Sequence, residues 1–353
     1  MWSRVFPPLD QKLKLRPDHW SGGAARVATR LGLLSKSFDL AAEAFGDAVG
    51  GSMSADSLRR VTEGWGRGVA SQRAEEAQQA NAPAQRGEGP TTPRVAAMAP
   101  IGGQANVSSD GAMMLVRGEG WKEVKLVAVS EVRVRPPEER GGARPSRREG
   151  DPWVKLSQHS YQAGLWDAET FGLYQYAEAL RRGLDGWTKS SSVNDGAAWI
   201  RRITATNFPG MPQVVDWSHA ADHLWAVANA VGGEQTPAAQ QWAERHLDLL
   251  WEGGVAQVVA SLDQLELGQA RYAAEVREAP DYFRGNQERM RYAEFRAAGQ
   301  PIGSGTAESA ATTVVHHRMK RQGRGWERSN GQAMLAALSE LHSGRFEQAW
   351  RSI

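Results

Sequence analysis

The sequence predicts an α/β protein: a mixed sheet flanked by helices, interrupted by an all-helical insertion and preceded by a helical N-terminal domain. Three observations predict it. Apolar residues recur at helical spacing up to about residue 85, the period changes to that of paired strands from Val107, and helical spacing returns from His223 to Ala298. With 353 residues, 41% hydrophobic content and 14 Trp, the chain can bury the core of two or three domains.

Composition narrows the chemistry. Lys and Arg number 42 against 40 Asp and Glu, a formal net charge of +2, so any nucleic-acid surface must be local. The chain has no Cys, which excludes disulfides, thiolate zinc sites and cysteine nucleophiles and fits a reducing cytosol. No apolar run reaches transmembrane length, and Met1 to Asp18 lacks the apolar stretch of a signal peptide. The expectation is a cytoplasmic protein without a membrane partner.

Taken in order, Met1 to Pro17 carries three prolines and reads as a strap. Val27, Leu31, Leu34 and Phe38 predict helix from about Ala24 to Ala48, and Ser54 opens a second helix with capping character. Ala70 to Ala84, rich in Ala, Gln, Glu and Arg, suits an exposed helix, giving way to a Pro/Gly/Thr linker at Pro83 to Thr92. Residues 1–85 thus read as a helical domain that could bind DNA, and 86–105 as its linker. Val107 to Val116 and Val124 to Val134 then form two paired strands across the Gly118 to Gly120 turn. The stretch from Arg133 to Asp151, with Arg135, Arg140, Arg144, Arg147 and Arg148, lacks core-forming residues and reads as a loop, either solvated or able to grip phosphates.

Asp167 to Arg182 is an amphipathic helix, Ser190 to Val193 a short strand, Gly196 to Ile203 the start of a helix, and Gln213 to Trp217 another strand. The boundaries expected are 106–222 for the first part of the sheet domain, 223–300 for the helical insertion and 301–353 for the closing helices. This order of strands and helices is that of a ribonuclease-H-like core.

Three acids stand in polar, glycine-rich frames: Asp110 in Ser-Ser-Asp-Gly-Ala, Asp195 in Asn-Asp-Gly-Ala, and Glu308 after Gly-Ser-Gly-Thr-Ala. Asp110 falls on the first strand, Asp195 at the carboxyl end of a later one, where functional groups of open α/β sheets gather. Glu308 falls in the first turn of a helix, whose dipole favours its ionised form. Brought together, they could hold two divalent ions for phosphodiester chemistry, since Mg²⁺ prefers hard oxygen ligands. Asn194 and Ser109 could tune that site through hydrogen bonds. Asp216, His219 and His223 form a second cluster, because residues four apart on a helix share a face. They could bind zinc, although structural zinc prefers four protein ligands, or line the edge of the carboxylate site and orient substrate. The most basic segment holds His316, His317, Arg318, Lys320, Arg321, Arg324, Trp326 and Arg328, a density suited to phosphates with an aromatic suited to base stacking, or an exposed polar helix.

Ordered blocks run the length of the chain: Gly-Glu-Gly-Trp-Lys-Glu-Val-Lys (118–125), Ala-Gly-Leu-Trp-Asp-Ala (163–168), Asn-Asp-Gly-Ala (194–197), Val-Asp-Trp-Ser-His-Ala (215–220), Tyr-Phe-Arg-Gly-Asn-Gln-Glu-Arg-Met-Arg-Tyr (282–292) and Gly-Gln-Pro-Ile-Gly-Ser-Gly-Thr-Ala-Glu-Ser-Ala (299–310). Together with Asp110 and Arg-Met-Lys (318–320) they closely resemble bacterial insertion-sequence transposases of the ISKra type, which are similar to Mutator-like transposases in layout. The resemblance implies a DDE transposase with a ribonuclease-H-like catalytic domain. Asp110, Asp195 and Glu308 would be its catalytic and metal-holding residues, with two Mg²⁺ or Mn²⁺ ions. It implies DNA as partner, both terminal inverted repeats and target, a homo-oligomer on DNA, and association with the nucleoid when bound. Asp216 and His219 fall where Mutator-like relatives carry a Cys and a His, and the Asp departs from that pattern. Two alternatives stand beside this one: a catalytically inactive or truncated DNA-binding remnant, and a ribonuclease-H-like nuclease without strand transfer.

Overall fold

The structure, a computed structural model, describes residues 20–86, 100–135, 153–269, 271–303, 305–320 and 325–353. Arg321 and Arg324, the arginines from 140 to 148 and the strap at 1–17 lie outside the described residues.

The architecture is α/β, built on one open sheet of five strands in the order β3-β2-β1-β4-β5. The strands are β1 (Gln104–Val116), β2 (Gly120–Arg135), β3 (Trp153–Gly164), β4 (Lys189–Asn194) and β5 (Gln213–Val215). β1 and β2 form the expected antiparallel hairpin, β3 pairs antiparallel with β2, and β4 runs parallel to both β1 and β5. The order of elements called for a third strand before the Asp167 helix without locating it. Trp153–Gly164 supplies it, in a stretch whose Lys, Gln, Ser and His mask the strand period because β3 stands at the sheet edge.

Helices cover both faces. In β2 the run Val124–Ser130 is buried throughout, as a central strand between two helical layers requires. Leu126 and Ala128 join Ala112, Met114 and Val116 on one face; Val127 and Val129 join Ala105 and Val107 on the other. The first face is closed by α1 (Gly22–Leu34) and α3 (Ala55–Arg86) from the front end, and by α12 (Arg328–His342) and α13 (Phe346–Ser352) from the end of the chain. The second face carries α4 (Ala168–Arg181) and α5 (Ala198–Asn207). Beyond β5, α6 (Trp217–Gly232), α7 (Pro237–Trp251), α8 (Val255–Asp263), α9 (Ala274–Asn286) and α10 (Tyr292–Ala297) enclose a separate core with Val193, Val214 and Val215. Its aromatic residues Trp251, Phe283, Tyr292 and Phe295 are buried there.

The front end departs from its periodicity. The helix expected from Ala24 to Ala48 is broken at Ser35–Ser37, and Ser37 caps α2 (Phe38–Val49) by accepting from the Leu40 amide. α3 is one helix of 32 residues, not two, and its second half is not exposed on every side: Arg73, Glu76, Ala77 and Ala80 are buried. α3 packs closely on α12, where a Cβ on Gly66 would lie 2.5 Å from the Ala333 carbonyl oxygen. Trp65 of α3 packs against Phe346 and Trp350.

The polar residues of α3 are buried because they are answered. Arg73 pairs with Glu76 at 2.6 Å and with Glu340 at 2.7 Å; Arg345 pairs with Glu340 at 2.9 Å and Glu178 at 2.6 Å; Arg181 bonds Glu178 and reaches Glu76 at 2.5 Å. The six side chains close a ring of alternating charge joining α3, α4, α12 and the residue before α13. Its Arg neighbours hold the Glu178 carboxyl far below the usual range, and Glu340 at about 2, against the opposing effect of burial.

Candidate carboxylate site

The site lies where β1 and β4 part. Their ladder ends at Asn106 and Ser191, and beyond it side chains span the gap. The Ser109 amide donates to Asn194 Oδ1 at 2.6 Å, Asn194 Nδ2 donates to Ser192 Oγ at 2.8 Å, and Ser192 Oγ donates to the Val107 carbonyl at 2.7 Å. Gln175 of α4 donates to Ser109 Oγ at 3.1 Å from behind. This buried polar layer fixes the spacing of two strands that no longer bond to each other directly. Asn194 and Ser109 bond each other in it, and their bonds are to the scaffold, not to a carboxylate.

Asp110 stands on β1 with the parity of Ala112 and Met114, so it points to the face covered from the C-terminal side. That face receives α11 (Gly305–Ala310), continued by a π-helical segment, Ala311–His316, whose Ala311, Val314 and Val315 pack beneath. Such segments are rare within helices and recur at functional sites. Glu308 lies in the first turn of α11, its side chain 59% exposed, with Oε1 4.0 Å from His219 Nε2. Asp195 follows β4 directly. Its Oδ1 accepts from the Ala197 amide at 2.9 Å, and Gly196, at φ +96°, makes the turn that a side chain would strain.

Asp195 and Glu308 both act on Asp110. Burial raises the Asp110 carboxyl most; the Gly111 amide, donating at 2.7 Å, opposes it; Asp195 and Glu308 raise it further while His219 lowers it, and the result is about 6. Among the described residues, no group of three or more His, Cys, Asp or Glu side chains is drawn together tightly enough to hold a metal as it stands. The donor chemistry nonetheless fits a hard divalent cation: the acids offer only carboxylate oxygens, and positive charge would relieve the repulsion that Asp110 feels.

The second cluster divides. Asp216, fully buried, caps α6 by accepting from the His219 amide at 3.1 Å and from Ser218 Oγ, and its own amide donates to the Asn194 carbonyl at 2.8 Å. It joins β4 to α6. His219 faces Glu308, whereas the His223 ring stacks on Tyr282 with centroids 3.9 Å apart, and burial lowers its pKa.

The basic segment also divides. Arg318 is an interior residue, 3% exposed; its Nε donates to the Gly32 carbonyl at 3.0 Å, and its guanidinium lies 4.4 Å from the Phe38 ring and 5.3 Å from Trp326. That placement gives Arg318 a structural part, fixing α1 and α2 against the C-terminal helices, which its expected role as a phosphate contact did not include. Trp326 is similarly engaged, bonding through its amide to Leu115 and through its indole to the Met319 carbonyl. Lys320 is exposed, 6.0 Å from the Trp121 ring, and Arg328 pairs with Glu119 at 2.6 Å.

Tyr282 and Arg289 belong to the helical block and had no part in the site expected from the sequence, yet both border the Asp195 turn: a Cβ on Gly196 would lie 3.6 Å from Tyr282 Oη, and Arg289 Nη2 is 3.5 Å from the Gly196 carbonyl. The polar run Gly285 to Arg289, which interrupts the apolar spacing, was the available signal. Compared with protein-family models and with curated proteins, the chain matches none.

Proposed function

We propose that this chain is a DNA transposase of the bacterial insertion-sequence type, with a ribonuclease-H-like core, that cleaves element ends and joins them to target DNA. The observation that carries the reading is the placement of Asp195 and Glu308, at the end of the parallel neighbour of β1 and on a C-terminal helix, close enough to the central-strand Asp110 that both raise its carboxyl. The strand order β3-β2-β1-β4-β5, with the first three strands antiparallel and the last two parallel to β1, supports the same core.

Asp110, Asp195 and Glu308 would hold Mg²⁺ or Mn²⁺, which when bound lowers the pKa of an attacking water or 3′-hydroxyl and offsets charge on the leaving oxygen. The protein's own groups set the stage. The Ser109–Asn194 bond holds β1 and β4 at fixed separation, so Asp110 and Asp195 keep their spacing without a ladder between them. The Ala197 amide directs the Asp195 carboxylate. His219, beside Glu308, can hold a proton near the most exposed of the three acids.

The test is incubation of the protein with labelled duplexes carrying the terminal repeats that flank its gene, in Mg²⁺, beside Asp110→Asn. The expected outcome is strand cleavage and joined products from the wild type and neither from the variant. Cleavage without joining would make it a nuclease, and equal inactivity of both would reduce it to a DNA-binding protein.

A further inference from the structure

We infer that Tyr282, Arg289 and Arg201 form an anion-binding subsite beside Asp195 that takes a phosphate of the DNA strand next to the reacting one. The inference rests on the reading that the substrate is DNA. Arg289 closes the turn Gln287–Arg289 after α9, and its Nη2 bonds Asn286 Oδ1. Its Nε is buried and has no acceptor among the described residues, and Asp195 acts on its charge without forming an ion pair with it. Another cation stands at the same turn: the Arg201 amide donates to the Ala197 carbonyl at 3.1 Å, next to the Gly196 carbonyl that Arg289 approaches at 3.5 Å, and after burial the charge of Arg201 is the main influence depressing the pKa of Arg289.

Arg201 stands exposed on α5, and among the described residues its side chain has no hydrogen-bond or ion-pair partner. Two guanidinium groups placed at one turn, neither in an ion pair among the described residues, repel, and the fold keeps them so beside the Asp195 carboxylate. Tyr282 adds a third unspent donor. Its ring is fixed between His223 and Gly196, and its hydroxyl, buried, has no partner among the described residues. Buried donors without acceptors are uncommon and costly. A phosphodiester oxygen answers all three, because guanidinium and hydroxyl donors converge on phosphate with charge-assisted geometry. The subsite also answers an electrostatic problem of the carboxylate site, which by itself repels a polyanion. It further gives the helical insertion a share in substrate binding, since Tyr282 and Arg289 both come from it.

The competing account is that Tyr282 and Arg289 only clamp the Asp195 turn. Arg201 separates the two, because among the described residues its side chain forms no hydrogen bond or ion pair with the clamp. Full-length wild type, Arg201→Gln, Arg289→Gln, the double variant and Tyr282→Phe are compared by fluorescence anisotropy with fluorescein-labelled duplex DNA. EDTA is present throughout, across a range of NaCl, and thermal melting checks folding. The expected result is that each arginine variant binds about 5-fold to 10-fold more weakly, and that the double variant lowers the slope of log affinity against log salt by about one. Tyr282→Phe keeps the stack and loses about 10-fold. Arg201→Gln binding as wild type overturns the subsite whatever Arg289→Gln does. A wild type with no affinity for the duplex at any salt sinks the DNA reading and the subsite together.

Discussion

Replacing Arg345 by Met removes the centre of the buried charge ring. The side chain is fully buried and makes its bonds to Glu178 at 2.6 Å, to Glu340 at 2.9 and 3.0 Å, and to the Tyr161 carbonyl at 3.3 Å. Methionine fills a similar volume without a charge, leaving three glutamates facing Arg73 and Arg181 alone. Breaking a buried ion pair from one side costs about 3–5 kcal/mol, chiefly because the remaining charge is stranded. At about 2.1 cal/mol/K per residue, a loss of about 4 kcal/mol lowers the melting temperature by about 5 °C if the chain melts as one unit.

The pH dependence adds a second reading. Glu178 and Glu340 have folded-state pKa values depressed below the unfolded value of about 4.3, so their contribution is complete above that value and is lost as pH falls towards about 2 for Glu340. Urea unfolding of the wild type should therefore weaken steeply between about pH 5 and pH 3, and that of Arg345→Met less steeply. Adding Glu340→Gln to Arg345→Met should recover part of the loss, with a coupling of about 1–3 kcal/mol. A loss below about 1 kcal/mol at pH 7, the value for an exposed pair, or an unchanged acid profile, would refute the ring as a structural centre.

Other outcomes follow from the same geometry. Asp110→Asn should stabilise the ion-free protein at pH 7.5 by about 1–2 kcal/mol, because a carboxyl raised to about 6 by burial and like charges destabilises the fold once ionised; the gain should fade as pH falls from about 6 to about 4. Added Mg²⁺ should raise the melting temperature of the wild type and not of Asp110→Asn, through a stabilisation of about 2.7 kcal/mol at one hundred times its dissociation constant. An equal rise in both would separate the ion from the site. Gly66→Ala should cost about 1–3 kcal/mol by chemical denaturation, since its Cβ would meet the Ala333 carbonyl oxygen at 2.5 Å, backbone against backbone. Arg318→Met should lower stability by about 1–3 kcal/mol while leaving the salt dependence of DNA binding unchanged, as an interior arginine requires. A reduced salt slope would return Arg318 to the DNA surface.

Much of the fold was legible along the chain. The β1–β2 hairpin, β4, β5 and the Asp167-capped helix all carry local signals: apolar periodicity, glycine turns and a capping side chain. The helical block after β5 was legible for the same reason. Asp110, Asp195 and Glu308 were singled out by type and frame, and the structure sets them near enough that each alters the charge of Asp110.

Other features have no local signature. β3 sits at an edge, with Lys155 and Gln158 exposed, so its polar residues blur the period. Ala70 to Ala84 reads as exposed because it is charged, yet Arg73 and Glu76 are interior: their partners Glu340 and Arg181 lie far away in the sequence. The sequence by itself determined the elements and the candidate acids, because periodicity and turn chemistry act between near neighbours. Tertiary structure alone decided which charges lie inside, that Arg318 is a strut, and that Tyr282 and Arg289 border Asp195. Burial of a charge depends on groups that only packing can bring beside it.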